Sequence, residues 1–183
     1  MAGAAVTKNL RDATIVFKDG SAPPNMIALV CEEGDTTWRE SHAIVNVLDR
    51  GSLSHLRAGD EAPIEGSMTL KFKQFIMQTS DSTPEPYEVL RGIGGAASWI
   101  STNPDGGDVV AFDMDVFIAS PTSGEENDYI AFTKVVATEV TFTEGAEYDT
   151  LAFNFTAFET APVIIKTACD TSCQIACQTG IQT

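Results

Sequence analysis

The chain has 183 residues, with 26 acidic side chains against 11 Lys/Arg and a formal net charge of −15. That length fits one domain of roughly 150 residues or a little more, and 43% hydrophobic content excludes an intrinsically disordered chain. The acidity excludes a phosphate-neutralising nucleic-acid binder and a protein held to anionic lipid, and no apolar run approaches the ~18 residues of a membrane span.

In chain order, residues 1–11 lack the apolar stretch of a secretory signal and read as an N-terminal arm of a single domain spanning 1–183. Ala13–Lys18 reads as a first strand ended by Asp19-Gly20. Asn25–Cys31 and Ala43–Leu48 are almost continuously apolar, as strands are when covered on both faces or buried in an interface. The polar, glycine-bearing stretch 49–67 reads as a long inter-strand loop. After it, Met68, Leu70 and Phe72 alternate with Thr69, Lys71 and Lys73.

A helix is expected from Ser82-Thr83-Pro84-Glu85, with Glu85 in capping-box position, Tyr87 and Leu90 on one face and Gly92 as its end. The alternation then returns. Val110, Phe112, Met114, Val116 and Ile118 are apolar, while Asp113 and Asp115 face the other way. Val140 and Phe142 lie between Glu139, Thr141 and Thr143, and Leu151, Phe153 and Phe155 follow across a turn at Glu144-Gly145-Ala146-Glu147. The expected fold class is mainly β: an antiparallel β-sandwich or partly closed barrel with one packed α-helix.

Catalytic patterns are few. His42 and His55 sit in no nucleophile motif, and neither a Gly-x-Ser-x-Gly elbow nor a phosphate loop is present. Gly92-Ile93-Gly94-Gly95-Ala96-Ala97 matches a loose dinucleotide pattern but follows a helix instead of a strand, so it reads as a connector. Asn103–Asp108 lacks the ligand spacing of a calcium loop and reads as a turn. Cys169, Cys173 and Cys177 share one side of a helix if the tail 167–183 is helical, and Cys31 stands alone. Their spacing matches neither zinc nor iron–sulfur sites well. No enzyme, cofactor or metal is expected.

Val47-Leu48-Asp49-Arg50-Gly51-Ser52-Leu53, then Arg57-Ala58-Gly59-Asp60-Glu61-Ala62-Pro63, then the alternating strand, resemble the tail tube proteins of long-tailed bacteriophages. The closest match covers residues 43–75, and the Cys-containing tail is outside that pattern. The resemblance implies a structural virion protein of the tail, a β-sandwich that self-assembles into hexameric rings stacked as a conduit for genome ejection. The tube proteins of type VI secretion are similar. The implied partners are copies of the chain itself, with sheath, tape-measure and baseplate or terminator proteins beside them, and DNA passes without specific binding.

In such a tube, carboxylates on the wall would repel phosphates over roughly 8 Å at physiological salt. The wall candidates are Asp113, Asp115, Glu139, Thr141 and Thr143. The loop 49–67 would reach the adjacent ring through Leu53, Leu56 and Pro63, with Arg57, Asp60 and Glu61 as charge partners. The alternatives are another tube or tail-terminator subunit, or a small acidic β-sandwich module using Asp113 and Asp115.

Overall fold

The computed structural model describes residues 13–30, 36–50, 52–71, 84–103, 109–119, 127–144 and 150–167. Among the described residues ten strands carry the fold: β1 (Ala13–Lys18), β2 (Met26–Val30), β3 (Thr36–Arg39), β4 (His42–Asp49), β5 (Ser52–Glu61), β6 (Ile64–Lys71), β7 (Phe112–Ile118), β8 (Asn127–Thr143), β9 (Thr150–Ala157) and β10 (Val163–Thr167). One short helix, α1 (Pro86–Arg91), and a single 3-10 turn at Gly94–Ala96 lie between β6 and β7. All strand pairs are antiparallel.

The main sheet runs β2-β1-β7-β8-β9-β6-β3, with β10 also paired to β8, and among the described residues it does not close into a barrel. It folds on itself through β8. The first half of β8 pairs with β7 up to Val135 and with β10 up to Ala131. The second half, from Val135 to Thr143, pairs with β9. One 17-residue strand therefore belongs to two layers. The first layer is β2-β1-β7-β8-β10 and the second is β8-β9-β6-β3.

The crossing point is a bulge. Between the pairs Phe112–Val135 and Met114–Phe132, two β8 residues, Thr133 and Lys134, oppose Asp113 alone. Lys134 takes φ 50 there. The displaced amides are satisfied by carboxylates: Lys134 N donates to Asp113 Oδ1 at 3.0 Å and Thr133 N to Glu159 Oε2 at 3.3 Å. The Thr133 hydroxyl donates to the same Glu159.

Alternation fills the space between the layers. Ile15 and Phe17, Met114 and Val116, Ile64 and Met68, and Leu151, Phe153 and Phe155 all point inward and are buried. Aromatic edges lock the layers: Phe17 meets Phe153 at 6.0 Å, and Phe132 meets Phe155 at 5.5 Å and Trp38 at 5.9 Å. Val89 and Leu90 of α1 close one side of this core.

Expectation and structure differ in three places. The helix starts a turn later than its signals suggested. Glu85 is the N-cap, and its N–H donates to Glu88 Oε2 at 3.1 Å, while Tyr87 stays outside the core. Gly92 ends the helix at φ 62, a conformation a Cβ disfavours. Second, 49–67 is no loop: it holds β5 and the start of β6, and β5 pairs back on β4 across a turn at Arg50. Third, neither apolar run is covered on both faces. β2 is an edge strand with Met26 exposed, and the side chains of β4 are exposed on both faces. Residues 1–11, Phe72, Lys73, Ser82, Thr83, most of the Asn103–Asp108 turn, Gly145–Glu147, Cys31 and the cysteine tail lie outside the described residues.

Candidate assembly surfaces

Strands β4 and β5 form a separate two-stranded sheet. Its register places Ile44 opposite Ala58 and Asn46 opposite Leu56, and alternation brings Leu48 onto the same face. Val45, Val47, His55 and Arg57 share the other. Ile44 is 65% exposed, Leu48 61% and Leu56 60%. A lone two-stranded ribbon is marginal in water, and this one carries an apolar face that no other described residue covers.

This arm also differs in charge from the rest of the chain. Residues 42–58 carry Arg50 and Arg57 against Asp49 alone, and both histidines, in a molecule of net charge −15. The expected contact residues fall on and below the arm. Leu56 and Arg57 lie exposed along β5, Asp60 and Glu61 lie at its base, and Pro63 begins the turn into β6. The backbone of Leu53 is in β5 beside the tip. Beneath the arm, Glu61 and Pro63 border a shallow depression with Phe158 and Glu159 on its far side.

The wall candidates divide between two faces. Asp113 and Asp115 point away from the core on the first layer, beside Lys18, Val16 and Tyr129. Glu139, Thr141 and Thr143 point away from the core on the second layer, opposite Asn154, Ala152 and Thr150 of β9. The layers pack core face to core face, so these sets face opposite directions. One bore cannot use both.

Asp113 and Asp115 are also not the wetted pair their spacing suggested. Asp115 is 6% exposed and forms an ion pair with Lys18. Tyr129 donates to Asp115. Burial first, then the charge and hydrogen bond of Asp115 and the charge of Asp113, push the phenol far above its ordinary value. Asp113 caps the bulge. The reason is positional: β7 lies inside the first layer, and its polar face meets the side chains of β1 and β8 before it meets water. Glu139, Thr141 and Thr143, by contrast, are exposed, and Glu139 Oε2 accepts from Asn154 Nδ2 at 2.8 Å.

A further polar cluster had no signal in the spacing. Asp19, buried at the end of β1, accepts from Ser21 N and Oγ, Asn25 N and Nδ2, and Ile100 N. Burial pushes its carboxyl up, but these donors outweigh it and hold the group below the ordinary 3.8. The cluster ties the β1–β2 turn to the segment before β7. Asp19-Gly20 marked a strand end in the sequence, and its partner at Ile100 is 81 residues away.

No protein-family model and no curated protein sequence matches the chain. Solved structures match in fold. A chain in the sheath/tube terminator of the PVC extracellular contractile injection system, extended state, is 10% identical with a TM-score of 0.51. The match covers 85% of this chain and 93% of that one. A chain of the extended sheath–tube complex of PVC is 12% identical, with a TM-score of 0.50, over 84% of this chain and 88% of that one. At such identities the likeness is one of fold. The class is a mainly antiparallel β-sandwich with one short helix and a projecting two-stranded arm.

Proposed function

We propose that the chain is a structural, non-enzymatic subunit of a tail tube, acting by assembling with copies of itself into hexameric rings that stack into a conduit for a genome. The observation that carries this reading is the β4–β5 arm, whose apolar face finds no cover among the described residues of its own chain. The fold likeness to chains of a sheath–tube complex supports it. A head-to-tail contact through the arm does not close on itself and therefore propagates as a filament. The remainder of the chain is acidic, which suits an arm that carries two arginines against one aspartate.

The bore is assigned to the outer face of the second layer, because Glu139, Thr141 and Thr143 are exposed there whereas Asp115 is buried and paired. Glu65, Ser67, Thr69, Asn154 and Thr156 alternate onto that face by register. Arg39 and the register position of Lys71 also fall on that face, opposite Glu65 and Thr150, so hydroxyls and carboxylates separate the cations and DNA meets no continuous ladder of them. Sheath, tape-measure and baseplate or terminator proteins are the expected neighbours in the virion.

The test is size-exclusion chromatography and negative-stain microscopy of the purified chain and of an Ile44→Asp/Leu48→Asp variant. Stacked rings from the first, and unstacked rings with unchanged circular dichroism from the second, are expected. A wild-type chain that stays monomeric at high concentration overturns the reading.

A further inference from the structure

Strand direction separates the two layers as ring-forming surfaces. In the first layer, β2 and β10 are the end strands and run the same way, because five alternating strands separate them inclusively. Copies related by rotation would meet there as parallel strands. The second layer has four alternating strands, so its end strands, β3 and the far half of β8, run oppositely. Copies meeting there continue an antiparallel ladder without a break, the arrangement found in uniformly antiparallel sheets.

We infer that the seam between copies is β3 of one subunit paired antiparallel with Glu139–Phe142 of the next, with Arg39 opposite Glu139. The inference rests on the ring reading above and adds the strands and register that make the ring. The charges select that register: Arg39 stands outward on β3, which ends the layer among the described strands, opposite Glu65 of its own β6, and Glu139 stands outward on β8 at the layer's other end. A guanidinium has donors enough for both carboxylates.

The remaining pairs then fall into place without adjustment. Trp38 comes opposite Val140; both are half-buried at the margin of the core and point inward. Thr37 comes opposite Thr141, both outward and exposed. Thr36 comes opposite Phe142, which is 56% exposed in the single chain. Aromatic–β-branched, Thr–Thr and opposite-charge pairs are the cross-strand combinations that stabilise a ladder. Shifting the register by one residue would set inward Trp38 against an outward position and lose all of them.

The experiment has two arms on the full chain. Thr37→Cys combined with Thr141→Cys should give a ladder of disulfide-linked oligomers on non-reducing gels after mild oxidation, because directly opposed Cβ atoms lie about 5 Å apart. Either cysteine alone should give no more than the wild-type pattern from the native cysteines. In the second arm, Arg39→Glu or Glu139→Arg alone should raise the concentration for half-assembly on the order of tenfold, and the double exchange should restore it. Rings that form with no ladder and no response to either charge reversal overturn the seam and leave the tube reading standing. A wild-type chain that forms no rings overturns both.

Discussion

The sandwich and the arm are made from the same antiparallel ladder and differ in what their apolar side chains meet. In the sandwich, Phe132, Phe153 and Phe155 meet one another across two layers and are fully buried. On the arm, Ile44, Leu48 and Leu56 meet solvent. The first set supplies the stability of the single chain. The second, exposed in the single chain, contributes little to that stability, so on the proposed reading stability and assembly can be damaged separately.

The sharpest way to break that division is a pair of alanine variants. Phe132→Ala should destabilise the isolated chain by about 3–5 kcal/mol, whereas Leu56→Ala should leave it within about 0.5 kcal/mol and weaken only assembly. Denaturant unfolding of the monomer checks both, and a comparable loss from Leu56→Ala would show the arm to be part of the core. Next in size is Gly66→Ala. A Cβ there would lie 2.3 Å from the Phe155 ring and 2.7 Å from the Thr37 carbonyl, so about 1–3 kcal/mol is lost as β3 and β9 are pushed apart.

Asp19→Asn should cost about 1–3 kcal/mol at neutral pH by weakening a five-donor cluster. The folded carboxyl titrates below its ordinary value, so its contribution is full above about pH 4 and is lost as pH falls through the folded value. The gap between wild type and variant, measured by unfolding at pH 7 and pH 3, should therefore shrink in acid. The smallest effect distinguishes the two regions most finely. Lys134 and Arg50 both hold positive φ, at 50 and 48. Lys134→Gly should raise the stability of the chain by up to about 1 kcal/mol, and Arg50→Gly should not register in the same unfolding curve.

Much of the sandwich was legible because burial writes itself as alternation. Phe112–Ile118, Leu151–Phe155 and Met68–Leu70 each carry a period of two, and each is a strand with that face inward. β5 was not legible for the complementary reason. Residues 55–61 of β5 bury neither face among the described residues, so nothing in the sequence alternates and the strand passes for a loop. The wall candidates divide between two faces for another reason. Asp113 and Glu139 look alike as acidic residues on alternating strands, but β8 passes from one layer to the other at the Thr133–Lys134 bulge, and a second register shift between Ala137 and Glu139 turns Glu139 outward on the second layer. Register shifts of this kind leave no trace in composition. The positive φ of a lysine is visible only in the folded chain.

That shared strand has a mechanical consequence. Because β8 is continuous through both layers, the sheets cannot slide over one another as separate plates: shear applied to one is delivered through covalent bonds to the other. The carboxylates of Asp113 and Glu159 grip the strand where it turns, so the corner is braced where torque would concentrate. A force arriving on one sheet would therefore reach the other as rotation of a stiff body.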